Sequence, residues 1–419
     1  RRLGGACLFE GCIPSKALLH VAAVLGEAER AKEFGVDFGP PRVSLDPLRK
    51  WKSERVIGKL ARGLLAVAKS KGVELVGGRG VFEDSRTLRV EGDEPQTLKF
   101  RHAIVATGSE AARLPGVEPS ERVMDSTAAL EVPDVPERLL VVGGGYIGLE
   151  LGQVYAALGS AVTLVEMTDG LLPGVDRDLV QWVARRIDKQ FTAVRLGARV
   201  EALRDTGSGV EATIGGERMA FDRALVAVGR RALTDGLGLQ ATRAVVSARG
   251  VVEIDDRCAT ADPRIFAVGD VTGEPMLAHR AMRQAKVAAE VIARRPAAFD
   301  NAVVPAVVFT DPEIAWCGLT EAQATTQARP VRVAKFAWAA SGRAATLGRS
   351  DGVTKLIVDP DSGRLLGAGI AGPGAGELIA EAALAVEAAL LAEDLALTIH
   401  THPTLSETLM EAAETLLRG

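Results

Sequence analysis

Two cysteines five positions apart, Cys7 and Cys12, stand in the stretch Gly4-Gly5-Ala6-Cys7-Leu8-Phe9-Glu10-Gly11-Cys12-Ile13-Pro14-Ser15-Lys16. A thiol pair this close is a redox device: it closes to a disulfide and reopens, two electrons at a time. Gly11 allows a turn tight enough for the sulfurs to meet. Pro14 suits a first helical turn and Ala17-Leu18-Leu19 continues with good helix formers, so Cys12 is expected near a helix N-terminus. There the dipole favours a thiolate, and Lys16 adds positive charge about one turn later. A structural disulfide and a pair of ordinary buried thiols are the other readings. A disulfide around so short a loop constrains the unfolded chain little. Zinc would need a second ligand pair, and none stands at a suitable spacing, so no metal is expected.

A second chemistry-bearing stretch is Gly143-Gly144-Gly145-Tyr146-Ile147-Gly148-Leu149-Glu150. The apolar run Leu139–Val142 precedes it, a helix to about Leu158 follows, and the strand Ala161–Val165 closes on Glu166. Strand, Gly-x-Gly-x-x-Gly, helix, strand, acid is the full context a dinucleotide-binding turn requires. Gly143 allows the tight turn, Gly145 lets backbone approach a pyrophosphate, and Gly148 allows close helix–strand packing. The helix N-terminus offers donors to phosphate. Glu166 can accept from ribose hydroxyls and would repel a 2′-phosphate, which reads as NAD over NADP. Glu150 by itself is accounted for by the helix dipole, an effect of about 0.5 kcal/mol.

Three weaker signals remain. Ala103–Val105 runs into Ala106-Thr107-Gly108-Ser109, a buried strand ending at a glycine turn. Arg264–Val268 runs into Gly269-Asp270, which puts a carboxylate at the carboxyl edge of a sheet, where ligands sit. His402, in His400-Thr401-His402-Pro403-Thr404-Leu405-Ser406-Glu407, stands just before a helix with Glu407 five residues on. A carboxylate that orients a histidine is acid/base logic; a helix-end Glu beside a loop His is also an ordinary structural pair. His400 and His402 lack convincing further metal ligands.

The elements that must position these groups are legible in outline. Helices are expected over residues 15–35, 48–71, 176–190, 277–294, 374–391 and 406–417, and short strands over Val73–Val76, Arg79–Phe82, Thr87–Val90 and Leu98–Phe100. The 48–71 helix carries Leu48, Trp51, Val56, Leu60, Leu64, Leu65 and Ala68 on one face. From Val304 on, five strand candidates and two helices suggest an antiparallel sheet with helices against it. Gly372-Pro373-Gly374-Ala375-Gly376 reads as a helix entry. The 419 residues, 47% of them apolar, suit about three domains. The net charge of −4 gives no reason to expect nucleic acid, and no apolar run looks long enough to span a bilayer. Four cysteines argue against a secreted disulfide scaffold, and Cys258 and Cys317 read as packing residues. A reducing cytoplasm fits, as would a mitochondrial matrix.

Gly-Gly-x-Cys-Leu-x-x-Gly-Cys-Ile-Pro-Ser-Lys resembles the redox motif of the flavin-dependent disulfide reductases, with Phe9 and Glu10 departing from the usual Asn-Val. Thr107-Gly108 and Gly269-Asp270 resemble that family's flavin-contacting turns. His-Pro-Thr-Leu-Ser-Glu resembles the active-site signature of its lipoamide branch, the dihydrolipoamide dehydrogenases. The resemblance implies an α/β fold, with FAD- and NAD-binding three-layer Rossmann-like domains followed by an α+β dimerisation domain. The implied divisions are a first FAD-binding part at 1–112, an NAD-binding domain at 113–231 closed by the run containing Gly229, a second FAD-binding part at 232–300 and an interface domain at 301–419. It implies that Cys7 meets the substrate sulfur, that Cys12 contacts the flavin, and that Lys16 pairs with Glu150 beside the flavin and nicotinamide rings. Tyr146 would cover the flavin face, and Asp270, Leu277, Ala278 and His279 would line the FAD. His402, oriented by Glu407, would move the proton and come from the partner subunit, so a homodimer is implied. The reaction would oxidise the dihydrolipoyl group on the lipoyl domain of a 2-oxo acid dehydrogenase complex acyltransferase and reduce NAD. In the family a strand, a glycine turn and a helix that hold the adenosine half of FAD come first. This sequence opens at Arg1-Arg2-Leu3 without them, so it is expected to lack that N-terminal unit. Two alternatives stay open: a glutathione- or mercuric-reductase-like enzyme, and a flavin-free remnant acting only as a binding or scaffold protein.

Overall fold

A computed structural model describes residues 2–418. Arg1 and Gly419, the outer limits of the first and last expected domains, lie outside the described residues. The described residues form two compact units, one from residues 2–14, 50–112 and 229–300, the other from 15–49, 113–228 and 301–418.

In the first unit, strands Arg79–Asp84, Thr87–Glu91 and Gln96–Lys99 make an antiparallel meander. Ile265–Ala267 lies parallel to Ala103–Val105, and Ser109–Ala111 pairs antiparallel with Arg230–Ala232. Phe82, Val105, Ile265, Ala267 and Val271 close one core over these strands. The strand expected over Val73–Val76 does not form; Val73 and Leu75 are exposed there. An apolar run becomes a strand only where a neighbour takes up its backbone donors and acceptors. The expected 48–71 helix runs continuously from Leu45 to Ser70 through a π-turn at Trp51–Ile57. Leu48 and Ala68 are buried, but Leu60, Leu64 and Leu65 of the same expected face are exposed.

In the second unit, five parallel strands stand in the order Val123–Met124, Arg223–Val226, Arg138–Val142, Ala161–Val165, Ala193–Arg195. Leu139–Val141 are fully buried at the centre of this sheet, as strands covered on both faces must be. The C-terminal part is an antiparallel sheet in the order Ala306–Val308, Ile314–Gly318, Leu365–Ala371, Val353–Val358, Arg332–Ala337. Helices Ala375–Glu387 and Glu407–Leu417 pack their alanine-rich faces on it. The parallel sheet followed by an α+β part accords with the expected fold class. At the start of Ala375–Glu387, the Glu313 carboxylate accepts from Gly376 N–H at 2.8 Å, so the glycine-rich entry is capped by the protein itself.

Among the described residues, one cluster of carboxylates has metal-like spacing, Asp176, Asp178 and Glu321. Its cation is the protein's own: Lys355 Nζ lies 2.6, 2.8 and 2.9 Å from them.

One expectation about the N-terminal segment needs correcting. The helical span Gly5–Phe34 has a window of mean hydropathy 1.4, long and apolar enough by length and composition to cross a bilayer. Its apolar run is not continuous, because Lys16 and Glu27 interrupt it while the helix Cys12–Arg30 continues. In this protein the span carries Cys12 and Lys16, and Ala17 and Leu18 are buried.

Candidate active site

Cys7 lies in the short helix Gly5–Phe9, and Cys12 is the first residue of the helix Cys12–Arg30. The break between them is made at Glu10 and Gly11. Glu10 N–H returns to the Ala6 carbonyl at 2.8 Å. A Cβ on Gly11 would stand 3.2 Å from that carbonyl and 3.7 Å from Cys7 Cα, so the chain folds back against the turn that bears Cys7. Both cysteines are half-buried. The other two thiols differ: Cys258 and Cys317 are buried, and burial pushes them up to about 11 and about 12. They stay protonated and inert, as packing residues should.

One turn into the same helix, Lys16 Nζ meets Glu150 Oε2 at 2.8 Å. The Glu150 side chain is only 4% exposed. Its other oxygen accepts from Phe309 N–H at 3.0 Å, and Lys16 Nζ sits 4.5 Å from the centre of the Phe309 ring. A buried carboxylate with an ammonium and an amide is compensated in charge and in hydrogen bonds. The helix dipole is therefore not the main reason for Glu150. Phe309, which completes this arrangement, carries no sequence signal, because it reaches Glu150 from 159 residues away.

The glycine turn is built as its spacing requires. Gly143 has φ +113, and a Cβ there would lie 2.3 Å from the Ala227 carbonyl. A Cβ on Gly148 would lie 2.0 Å from the Gly143 carbonyl, so no larger residue allows the helix Tyr146–Leu158 so close to its strand. Gly145, the N-cap, would point a Cβ into open space. Gly145 has no side chain with which to cap this helix, and the helix N-terminus opens on that space. Tyr146, the first helical residue, is exposed. Glu166 is buried beside the turn, accepting from Gly144 N–H at 2.6 Å and from Thr168 N–H and Oγ1, both at 2.8 Å. That holds the carboxylate at the end of the second strand and at the mouth of the turn.

In the first unit, the Thr107 hydroxyl donates to the Leu233 carbonyl at 2.6 Å, and Leu233 N–H donates to the Gly108 carbonyl. These bonds close the turn. Ser109 is fully buried; its hydroxyl donates to Asp270 and accepts from Arg230 Nε at 2.7 Å. This Arg230–Ser109–Asp270 chain fixes the Asp270 carboxylate. Gly269, at φ +77, donates its N–H to Gln284 Oε1, and Gly229 has φ +123 with open space beside it. Leu277, Ala278 and His279 form the N-cap and opening turn of the helix Ala278–Ile292. Sequence reading missed Ser109 and Arg230 as partners of Asp270; the serine's place directly after Thr107-Gly108 was the available clue.

In the second unit, His402 Nδ1 meets Glu407 Oε1 at 2.8 Å, and Glu407 Oε2 accepts from Thr404 N–H at 2.7 Å. The Thr404 amide first, then His402, hold the Glu407 carboxyl below its usual range. With Nδ1 engaged, Nε2 is the free end of the ring for proton transfer, and the His402 side chain is 78% exposed. His400, by contrast, is enclosed: Nε2 bonds Glu381 and Nδ1 the Thr398 carbonyl.

Comparison with known proteins agrees with this construction. Residues 2–285 match the family described as pyridine nucleotide-disulphide oxidoreductase, and residues 304–413 match that family's dimerisation domain. The chain is 45% identical to a dihydrolipoyl dehydrogenase of Haemophilus influenzae, covering 98% of this chain and 87% of that protein. It is 43% identical to one of Geobacillus stearothermophilus, covering 99% and 89%. Among solved structures, LpdA from Mycobacterium tuberculosis matches with a TM-score of 0.92 at 26% identity, covering 99% of this chain and 92% of that one. The HOCl-induced flavoprotein disulfide reductase RclA from Escherichia coli matches with a TM-score of 0.87 at 28% identity, covering 98% and 91%. The chain belongs to the pyridine nucleotide-disulphide oxidoreductase family.

Proposed function

We propose that this protein is a dihydrolipoyl dehydrogenase, oxidising a protein-bound dihydrolipoyl group to its disulfide and reducing NAD. The observation that carries the reading is the cysteine pair at the mouth of a helix whose next turn presents Lys16 to the buried Glu150.

The residues present fit NAD and the ribitol and phosphate part of FAD. The open space at Gly145, in front of a helix N-terminus, suits the pyrophosphate of NAD, with Glu166 placed for the ribose hydroxyls. Asp270, fixed by Ser109 and Arg230, and the helix start at Leu277, Ala278 and His279 suit the ribitol and phosphate of FAD. Thr107, Gly108, Gly229 and Gly269 would shape that side of the cradle. We assign FAD to 1–112 and 232–300, NAD to 113–231, and subunit pairing to 301–419. Bound FAD supplies a two-electron path between the thiol pair and nicotinamide.

The chain's own groups do the rest. His402 takes the proton of one substrate thiol while Glu407 holds its ring. The substrate thiolate attacks Cys7 Sγ of the Cys7–Cys12 disulfide, and Cys12 leaves as a thiolate stabilised by the helix N-terminus. The second substrate sulfur attacks the mixed disulfide and releases Cys7 as a thiol; the substrate leaves as its disulfide, two electrons poorer. Lys16, held by Glu150, keeps a positive charge one turn from Cys12. Tyr146 would cover the ring face until nicotinamide enters.

Exposure of Leu384, Leu397 and Ile399 in the C-terminal part of the second unit, Ile399 at 96%, supports a two-fold dimer in which His402 of one protomer serves the cysteines of the other. The substrate would be the lipoyl domain of a 2-oxo acid dehydrogenase acyltransferase. A reducing compartment such as the cytoplasm suits a thiol pair that must cycle. The test is the visible spectrum of the purified protein with FAD, before and after dihydrolipoamide, alongside NAD reduction. A flavin band bleached by dihydrolipoamide and restored by NAD is expected, and is lost in Cys7→Ser. A protein that takes up no flavin, or whose flavin ignores dihydrolipoamide, overturns the reading.

A further inference from the structure

The turn that bears the His402–Glu407 pair is tied from beneath by a buried line of hydrogen bonds. Trp338 Nε1–H donates to Thr354 Oγ1 at 2.9 Å, and the Thr354 hydroxyl donates to Thr408 Oγ1 at 2.8 Å. The Thr408 hydroxyl donates to the Leu405 carbonyl at 2.7 Å. Trp338 and Thr354 are fully buried, and Thr408 is 1% exposed. An indole N–H only donates and a carbonyl only accepts, so the polarity of the whole line is set by its two ends. Each hydroxyl has one orientation that satisfies both neighbours, and such aligned bonds strengthen one another in a dry interior.

Both ends are rigid. The Trp338 ring lies flush on two glycines: a Cβ on Gly352 would come within 2.8 Å of it, and one on Gly372 within 2.3 Å. The indole therefore cannot swing its N–H elsewhere. Thr354 stands on the strand Val353–Val358 within the C-terminal sheet. At the other end, Leu405 and Thr408 bracket Glu407, which opens its helix and reaches back to Thr404 N–H and His402.

We infer that Trp338, Thr354 and Thr408 are positioning residues that fix the Glu407 carboxylate, and through it the His402 ring, against the sheet. This rests on the acid/base role proposed for that pair. Small displacements of a catalytic group are costly: a misplacement of about 1 Å lowers rates by up to about 100-fold. The relay secures the backbone on both sides of Glu407, so losing its central hydroxyl loosens the turn without touching the imidazole.

The experiment uses the FAD-loaded dimer and two reactions. Dihydrolipoamide oxidation by NAD needs His402. Oxidation of NADH by ferricyanide, two ferricyanides reduced per NADH, draws electrons through the flavin and needs no proton transfer at the thiols. Thr354→Val is expected to lower kcat for dihydrolipoamide about tenfold while leaving the ferricyanide rate unchanged. Thr354→Ser, which keeps the hydroxyl, should restore most of the loss. In a Glu407→Gln background Thr354→Val should add nothing, because both act through one group. Trp338→Phe, which keeps the ring in its slot and removes the donor, gives the same pattern more mildly and serves if Thr354→Val does not fold. Equal losses in both reactions, additivity with Glu407→Gln, or no loss in either variant overturns the relay. A Glu407→Gln enzyme with wild-type dihydrolipoamide turnover refutes the role of the pair itself, and the relay falls with it.

Discussion

Gly145 and Gly148 stand three residues apart on one turn, yet the structure gives an added methyl opposite consequences at the two positions. Gly145 has φ −77 and ψ 178, an extended conformation that alanine adopts without strain, and its added Cβ meets nothing within 4 Å. Gly145→Ala should therefore fold with wild-type stability. The methyl would occupy the space in which a pyrophosphate approaches the helix N-terminus. Losing one charge-assisted hydrogen bond of about 1.5–3 kcal/mol weakens NAD binding about 10- to 150-fold. Gly148→Ala instead drives a carbon to 2.0 Å from the Gly143 carbonyl, so helix and strand must separate by about 1 Å or more. Overpacking of this kind costs about 1–3 kcal/mol, and here it also misplaces the donors, so stability and NAD affinity fall together. Thermal denaturation alongside calorimetric titration with NAD separates the two effects. A Gly145→Ala protein that is stable and keeps wild-type NAD affinity would refute the assignment of this turn to the cofactor.

Three other perturbations follow from the ion pairs and the buried serine. Lys16→Met leaves Glu150 buried with only the Phe309 amide and should cost about 2–3 kcal/mol, less than a fully buried pair because Lys16 is 33% exposed. Adding Glu150→Gln should recover most of that in denaturant unfolding, and an equal loss in single and double variants counts against the pairing. Lys355→Met removes the cation from three carboxylates and should cost about 3 kcal/mol at neutral pH, with Lys335 still beside Asp178. Burial works against the Lys355 charge, but its hydrogen bonds with Asp176, Asp178 and Glu321 raise its pKa above 10.5, so this contribution is complete below that pH and lost as pH climbs through the raised value. Burial likewise opposes the Asp178 charge, and Lys335 and Lys355 hold its pKa below 3.8; that contribution is complete above this value and lost as pH falls through the lowered one. The stability gap between wild type and Lys355→Met should accordingly be flat from about pH 5 to 9 and close at both ends. Ser109→Ala frees the Asp270 carboxylate and should weaken FAD retention about tenfold, read as the flavin-to-protein absorbance ratio after gel filtration. An unchanged ratio removes Asp270 from the flavin site.

How much was legible follows from the range of each interaction. The helix opening at Cys12 and the His402–Glu407 pair are local, with every partner within a few residues, and the glycine turn is carried by residue type and spacing, although Glu166 and the Ala227 carbonyl complete it from further along the chain. Lys16 and Glu150 are 134 residues apart, and their pairing was reached through family resemblance rather than any local rule. Phe309, Ser109 and Arg230 went unassigned, because their partners lie 121 to 161 residues away and, apart from the place of Ser109 after Thr107-Gly108, nothing local distinguishes them. The 48–71 stretch makes the same point about surfaces. Its apolar spacing correctly implies a helix with an apolar face, but Leu60, Leu64 and Leu65 are exposed in the single chain. Periodicity states that a face exists and leaves open what covers it.

The amino-acid order alone determines most of the helices and where glycine turns fall, because residue type and spacing set local steric limits and hydrogen bonds, whereas a strand, as Val73–Val76 shows, also needs a neighbour to pair with. The folded arrangement decides which distant groups neutralise one another. Glu150 is a plain helical glutamate until Lys16 and the Phe309 amide reach it, and Trp338 is a plain core aromatic until Thr354 and Thr408 line up beneath it. Burial makes such contacts matter: away from water, a charge or hydroxyl without its partner is costly, and only the packed chain brings that partner within reach.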